Sequence, residues 1–452
     1  MRSPALTAAT RFGLGPDRGP ARTRESLAAE LDRPRAATIR GMDDLDTIRS
    51  RYVDRDREFR VAARANRNGG TAATEMTRKE AARARQKVVR EAMASEVAAR
   101  YRHGVTTDAP FLERLVLFWS NHFAVETKKV PVRAVAGNYE REVIRAHVTG
   151  TFADMLKAAI THPAMLIYLD NARSFGPGSP IGRRQGKSRV NENLARELLE
   201  LHTVGVDGGY GQGDVNALAL TLTGWTGGMD PRPRNPVFDR RWHEPGPRTI
   251  MGRTYRQKGE AQLMAVLDDL AADPATARHI SHKFARHFVG EAASADLVET
   301  LRVTFVKSGG NLAELAFALI AHPDAWAGEP TKVVPPYDFL VAAGRTLQAP
   351  DTPPRFVDEA CETLGQPIWD PPSPAGWPYD DNDFLGGDSV LERVDFAGTM
   401  VGRFGRSVDA RSLARTLLGE DLDPFVAETV DRAEDRHQAM VLLLMSPAFQ
   451  RR

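Results

Sequence analysis

One segment of this chain occurs twice, and that repetition limits what it can fold into. Gly150-Thr-Phe-Ala-Asp154 runs through Ala158 and Ile160 to His162-Pro163, and Gly310-Asn-Leu-Ala-Glu314 runs through Ala318 and Ile320 to His322-Pro323. The two copies align without a gap. Each opens on a capping pattern, Thr151…Asp154 or Asn311…Glu314, and each stops before a proline, because the pre-proline residue avoids the helical region. Upstream, Asn121-His122-Phe123 and Arg286-His287-Phe288 occupy comparable places. A fainter third copy has Leu413-Ala-Arg-Thr-Leu-Leu-Gly419 against Phe284-Ala-Arg-His-Phe-Val-Gly290, and Ser446-Pro447 against His322-Pro323. A repeated helical unit of this kind predicts a mainly α fold. His287 and His322 give way to Thr416 and Ser446 in the third copy, so the repeat histidines read as packing or helix-end residues rather than ligands.

Helical periodicity extends beyond the repeats. Thr77 with Glu80 predicts the start of a long basic helix reaching about Tyr101, with Val89, Met93, Val97 and Tyr101 as its apolar stripe. Between Arg78 and Arg102 stand eight Lys/Arg and three Glu, a pattern that reads as a solvated face near acidic neighbours. The whole chain has 61 Lys+Arg and 59 Asp+Glu, a net charge of +2, which argues against a nucleic-acid binder. The single cysteine, Cys361, excludes an internal disulfide and a cysteine metal cage. No run of apolar residues is long enough for a membrane span. The N-terminal stretch has no secretory apolar core, so the expected location is cytoplasmic, with export beside a partner left open.

Two unique segments interrupt the repeats. Residues 171–259 form a middle insertion, in which Thr249–Tyr255 predicts one arm of a small β-hairpin. Gly365–Pro378 carries so many prolines that it must run as an ordered loop, where Trp369 and Trp377 can wall an apolar pocket.

The densest ionisable stretch is the predicted helix 191–202. At about 100° per residue, Leu194, Ala195, Leu198, Leu199 and Leu201 share the buried face, and Glu197 and Glu200 share one edge. Such a pair can hold a cation or one raised pKa for acid–base work; the plainer reading is i, i+4 pairing of Arg196 with Glu192 and Glu200. His202 falls inside the apolar arc, opposite Glu200, so the two cannot share a metal. It reads as a hydrogen-bonded core histidine. The loop 176–188 fails the phosphate-loop pattern, because Ile181 stands where glycine is needed. Its Arg183, Arg184 and Lys187 suit either a flexible basic loop or a lid over an anionic ligand. His243-Glu244-Pro-Gly-Pro247 sets an imidazole on a tight turn and is the best single candidate for a base or ligand.

Several stretches together resemble the bacterial family called domain of unknown function 1800. They are Arg11–Gly15, Phe118–Phe123, Asn191–Gly205, Leu222–Trp225, His243–Gly246, Lys332–Pro335 and Pro371–Pro378. The resemblance covers nearly the whole chain. It implies no activity and no agreed catalytic residues. It does imply a possible partner from another uncharacterised family, domain of unknown function 1501, whose genes often lie beside. Many relatives have phenylalanine at the position of His202, and aspartate at that of Glu244.

These readings divide the chain into an N-terminal helical region 1–107, a first repeat unit 108–170, the insertion 171–259, a second repeat unit 260–330 and a C-terminal region 331–452. The leading expectation is an enzyme using acid–base or metal-assisted, hydrolytic-type chemistry in a cleft lined by the insertion. His243, Glu197, Glu200, Arg196 and His122 are its catalytic candidates, Arg183, Arg184, Lys187 and Trp377 its ligand contacts, and a divalent metal its cofactor candidate. The alternative is a non-catalytic helical scaffold for a partner encoded nearby.

Overall fold

The computed structural model describes residues 2–68, 71–229, 237–380, 384, 386, 388–405 and 408–452. Helices account for nearly all its regular structure, and a two-stranded sheet is the only sheet among the described residues. No described helix is long and apolar enough to cross a membrane.

The repeats take the form that their caps dictate. Thr151 accepts a hydrogen bond from the Asp154 amide to open the helix Phe152–Thr161, and Asn311 does the same from Glu314 for Leu312–Ala321. The two caps also face each other. Phe152 N donates to Gly310 O and Leu312 N to Gly150 O, each at 2.8 Å, so the copies are joined by a two-bond antiparallel bridge. At the far ends, Nδ1 of His162 accepts from the Ala164 amide at 3.1 Å, and Nδ1 of His322 from the Asp324 amide at 3.2 Å. Both histidines therefore cap the turn that follows them.

The long basic helix begins earlier than Thr77. Thr71 caps it, through the Thr74 amide, and it runs Ala72–Thr106. It forms a hairpin with Leu45–Arg67, in which buried Asp56 accepts from Arg60 at 2.6 Å and from Arg85 at 2.8 Å. Its stripe of Val89, Val97 and Tyr101 is buried against the core.

Pro110–His122 is the central helix. Proline at its first position needs no amide partner. Its open N-terminus is satisfied by buried Glu30, which accepts from the Phe111 and Leu112 amides at 2.7 and 3.2 Å. Phe111, Leu112, Leu115, Val116, Phe118 and Trp119 are all within 1% of complete burial, so most of the helix surface is enclosed.

The insertion differs from its expected form in three places. The hairpin has both arms: Arg248–Ile250 pairs with Arg253–Tyr255 about Met251-Gly252, both at positive φ as a tight hairpin turn requires. The 176–188 stretch holds a short helix, Pro180–Gln185, and is pinned to the His243 turn by backbone bonds from Gly176 to Trp242 O and from Ile181 to Arg241 O. The 191–202 helix is α only over Asn193–Glu197 and widens to a π turn over Leu198–His202.

Candidate functional site

A cleft of about 100 Å³ opens between the C-terminal half of the 110–122 helix, the segment around 332–338 and the proline-rich loop. Asn121 anchors the loop at Trp377. Asn121 accepts from the Trp377 amide at 2.7 Å and donates from Nδ2 to Trp377 O at 2.9 Å. Gly376 makes that approach possible: it sits at φ +83°, and a Cβ there would stand 2.4 Å from Asn121 O. Trp369, Trp377 and Tyr379 thereby become walls of the cleft, as does Tyr337 from the helix Pro336–Leu347.

The charged lining is lopsided. Arg114 donates from Nε and Nη2 to Gly13 O at 2.9 and 2.6 Å, and its Nη1 binds Asp338. Arg452 gives Nη1 to the same carboxylate at 3.1 Å. Arg393 lies close by, bound to Val334 O at 2.8 Å and to Gln450 at 2.9 Å, and Asp338 is the carboxylate whose field acts on it. All three guanidiniums and Asp338 are buried. Burial, followed by the repulsion of Arg114, draws Arg452 down to about 9, and burial draws Arg393 to about 10.

His287 faces the same cleft from the helix Pro274–Val289. Both its ring nitrogens are buried without a partner among the described residues, as are the Tyr337 hydroxyl and Arg452 Nε. Burial, then Arg452, Lys332 and Arg114, holds His287 well below the usual histidine range, so its imidazole is neutral.

One turn and two turns back along that helix come Lys283 and His279. With His122 and His202 they form a basic layer behind Tyr379. The His122 and His202 rings stand 6.0 Å apart, and those of His122 and His279 6.4 Å. His122 donates from Nε2 to His202 O at 3.2 Å, and His279 from Nε2 to Leu201 O at 3.0 Å. His122 Nδ1 and both nitrogens of His202 are buried with no partner among the described residues. His202 is a core residue as its place on the wheel requires, but without the hydrogen bond expected of it. Burial first, and Lys283 second, lowers His202 to about 3 and His279 to about 4.

Of the residues singled out by sequence, Trp369 and Trp377 line the cleft, and His122 lies just behind it, next to Asn121. His243, Glu197, Glu200 and Arg196 do not line it, and no described residue of 171–259 does. No hydrogen bond or ion pair joins His243 to Glu197 or Glu200 among the described residues. His243 donates from Nδ1 to Thr223 O at 2.9 Å, which leaves Nε2 with its lone pair. Glu244 is turned inward to accept from the Gly178 amide at 2.6 Å. Glu197 is pushed up by partial burial and by Glu200. Arg196 pairs with Glu192 at 3.3 Å, and no bond to Glu200 accompanies it. Arg183, Arg184 and Lys187 are exposed on the pinned 176–189 loop.

His279, Lys283 and His287 were not singled out as a set. Their i, i+4, i+8 spacing was the available signal, since it lines three basic groups along one helix face.

Asp296, His322 and Asp324 are the described residues that come within metal-ligand reach of one another, at 4.8 Å or less. The tautomer speaks against a metal there. His322 Nδ1 accepts from a backbone amide, so Nε2 carries the proton, which it gives to Asp296 at 3.2 Å; a metal-bound imidazole instead donates through its other nitrogen.

A mainly helical scaffold around a buried, cation-rich cleft is the class of protein that these features define. The chain belongs to the family described as protein of unknown function (DUF1800), whose model matches residues 7–451. No curated protein and no solved structure matches it.

Proposed function

We propose that the protein is an enzyme acting by acid–base chemistry on a small anionic molecule bound in the cleft beside Asp338. The observation that carries this reading is the charge imbalance: buried Arg114 and Arg452 share one carboxylate, and Arg393 adds a third guanidinium beside it. An uncompensated buried charge costs several kcal/mol, on the order of the penalty for removing one partner of a buried pair, and an anionic ligand would offset it. Trp369, Trp377 and Tyr379 would hold the ligand's apolar body, and neutral His287 would serve as base. A bound anion would raise the pKa of His287, because it cancels the cationic field that helps to hold it down.

Thermal unfolding in the presence of phosphate, sulfate and short carboxylates tests this. The expected outcome is a rise in Tm for wild type, saturating with concentration, that Arg452→Met abolishes. An equal rise in Arg452→Met would remove the cleft as the anion site.

A further inference from the structure

The hairpin of helices Leu45–Arg67 and Ala72–Thr106 concentrates charge far from neutral. Nine Lys/Arg stand against two Glu between Arg60 and Arg90, a local net of +7 in a chain whose whole net charge is +2. The two helices are joined by Asp56 with Arg85 at 2.8 Å, by the Arg85 guanidinium 4.2 Å over the Phe59 ring and by Asn66 with Glu75 at 2.9 Å. Beyond Asp56 the hairpin packs on little but itself. Of residues 57–67 and 72–88, Ala62 alone is buried.

The exposed charge is not spread evenly round this distal half. At about 100° per residue, Arg57, Arg60, Arg64 and Arg67 fill one arc of roughly 80° on the first helix. On the second, Met76, Lys79, Arg83, Lys87 and Arg90 fill an arc of similar width. No acid falls in either arc, and the residues between the helices, Asn68-Gly-Gly-Thr71, add none. Each arc lies roughly 110° past the contact edge of its own helix, in the direction of the chain. Because the helices run antiparallel, equal rotations along the chain bring both arcs to the same flank of the hairpin. All eight cations on that flank are exposed. Arg57, Arg60, Lys79 and Lys87 have acids beside them, Asp54, Asp56, Glu75 and Glu91 respectively. Arg64, Arg67, Arg83 and Arg90 have no ion pair among the described residues. The solvated face read from the sequence thus lacks the acidic neighbours for half of its cations.

Two features select the partner. The flank extends for about 15 Å along each helix, and its cations spread over both, which suits a plane of anionic groups. Met76 stands within it, 62% exposed, and Val61 at its border, 63% exposed. Nucleic-acid phosphates give such side chains nothing to contact, whereas the boundary between lipid headgroups and acyl chains does. We propose that this flank docks the protein on an anionic bilayer, with its cations on the headgroups and Met76 and Val61 turned towards the acyl chains. Each cation held near such a surface strengthens binding by about fivefold, so the flank needs no spanning helix to hold the protein there.

The test is co-sedimentation of the full chain with vesicles. Phosphatidylcholine vesicles with about 30% phosphatidylserine should bind it, phosphatidylcholine alone should not, and raising salt from about 0.05 to about 0.5 M should release it. The double variant Arg64→Gln, Arg83→Gln removes two unpaired cations and should weaken binding by about thirtyfold while leaving Tm unchanged. Arg183→Gln with Arg184→Gln, the same change of charge on the 176–189 loop, should bind like wild type. Equal binding to both kinds of vesicle, or an equal loss in the two double variants, overturns the proposal. Binding to a short DNA duplex at protein concentrations where the serine-containing vesicles bind none overturns it too, and gives the flank to nucleic acid instead.

Discussion

Two buried ion networks lie on either side of the 110–122 helix, and they are built on opposite rules. In the first, Arg145 binds Glu113 through two bonds of 2.6 and 2.7 Å and Glu140 at 2.9 Å, while Arg100 reaches Glu140 at 2.9 Å. Two cations meet two anions, and Trp369 adds a hydrogen bond to Glu140 at 2.9 Å. Burial alone would raise the Glu113 carboxyl, but Arg145 and His103 together hold it far below the usual carboxylate range. In the second, Arg114, Arg393 and Arg452 surround Asp338, and Lys283 has no acid partner among the described residues. A closed network fixes helices to one another and leaves no surplus charge for a ligand. An open one has unspent charge, and that difference distinguishes architecture from site in a chain whose net charge is only +2.

Breaking the closed network should have the largest effect. Glu113→Gln leaves Arg145 short of one charge in a dry interior and should cost about 3–5 kcal/mol in denaturant unfolding. It should leave any anion-induced rise in Tm intact.

The open side should answer in the other direction. Lys283→Met removes a poorly solvated ammonium and should stabilise the fold by about 1–3 kcal/mol at neutral pH. The gain should shrink as pH rises from about 8 to about 10.5, because across that window the unfolded chain still holds the proton that folded Lys283 has released. A stability curve with the same slope in both proteins would mean that Lys283 is solvated after all.

His202→Phe should stabilise by about 1 kcal/mol, since it replaces two unpaired buried nitrogens with an apolar ring. Folded His202 stays neutral down to about 3 while the unfolded residue protonates near 6.5, so stability is lost as pH falls below 6.5. The variant should lose that part of the acid limb. Arg452→Met should change ligand-free stability least, within about 1 kcal/mol, because relief of surplus buried charge offsets the lost bond to Asp338, which keeps Arg114. A loss as large as that of Glu113→Gln would show that the two networks are not different in kind.

The fold was legible in the sequence wherever a local rule sets the structure. The twin capping patterns, the prolines after His162 and His322 and the apolar stripe from Val89 to Tyr101 each depend on neighbours within a few residues. The start of the long helix was misplaced because Thr71 and Thr77 both lead plausible caps, and only packing against 45–67 selects the earlier one. The π turn at Leu198–His202 rotates side chains in a way that a wheel of constant pitch does not describe. The cleft was largely hidden. Its charged residues, Arg114, Asp338 and Arg452, come from three distant segments, and no spacing rule connects them. Trp377 was visible because prolines on either side mark an ordered loop. His287 was discounted because the third copy has Thr416 in its place, yet a repeat can lend one of its copies to a site.

The bridge between Phe152 and Gly310, with its twin between Leu312 and Gly150, has a consequence for the order in which the molecule is made. During synthesis the first partner waits while about 160 further residues emerge, some 8–30 s at ordinary elongation rates. For that interval the 152–161 helix has its apolar face but not its clasp, and a holding chaperone would find it there. The nascent chain is therefore expected to resist protease in this helix only after residue 312 has left the ribosome.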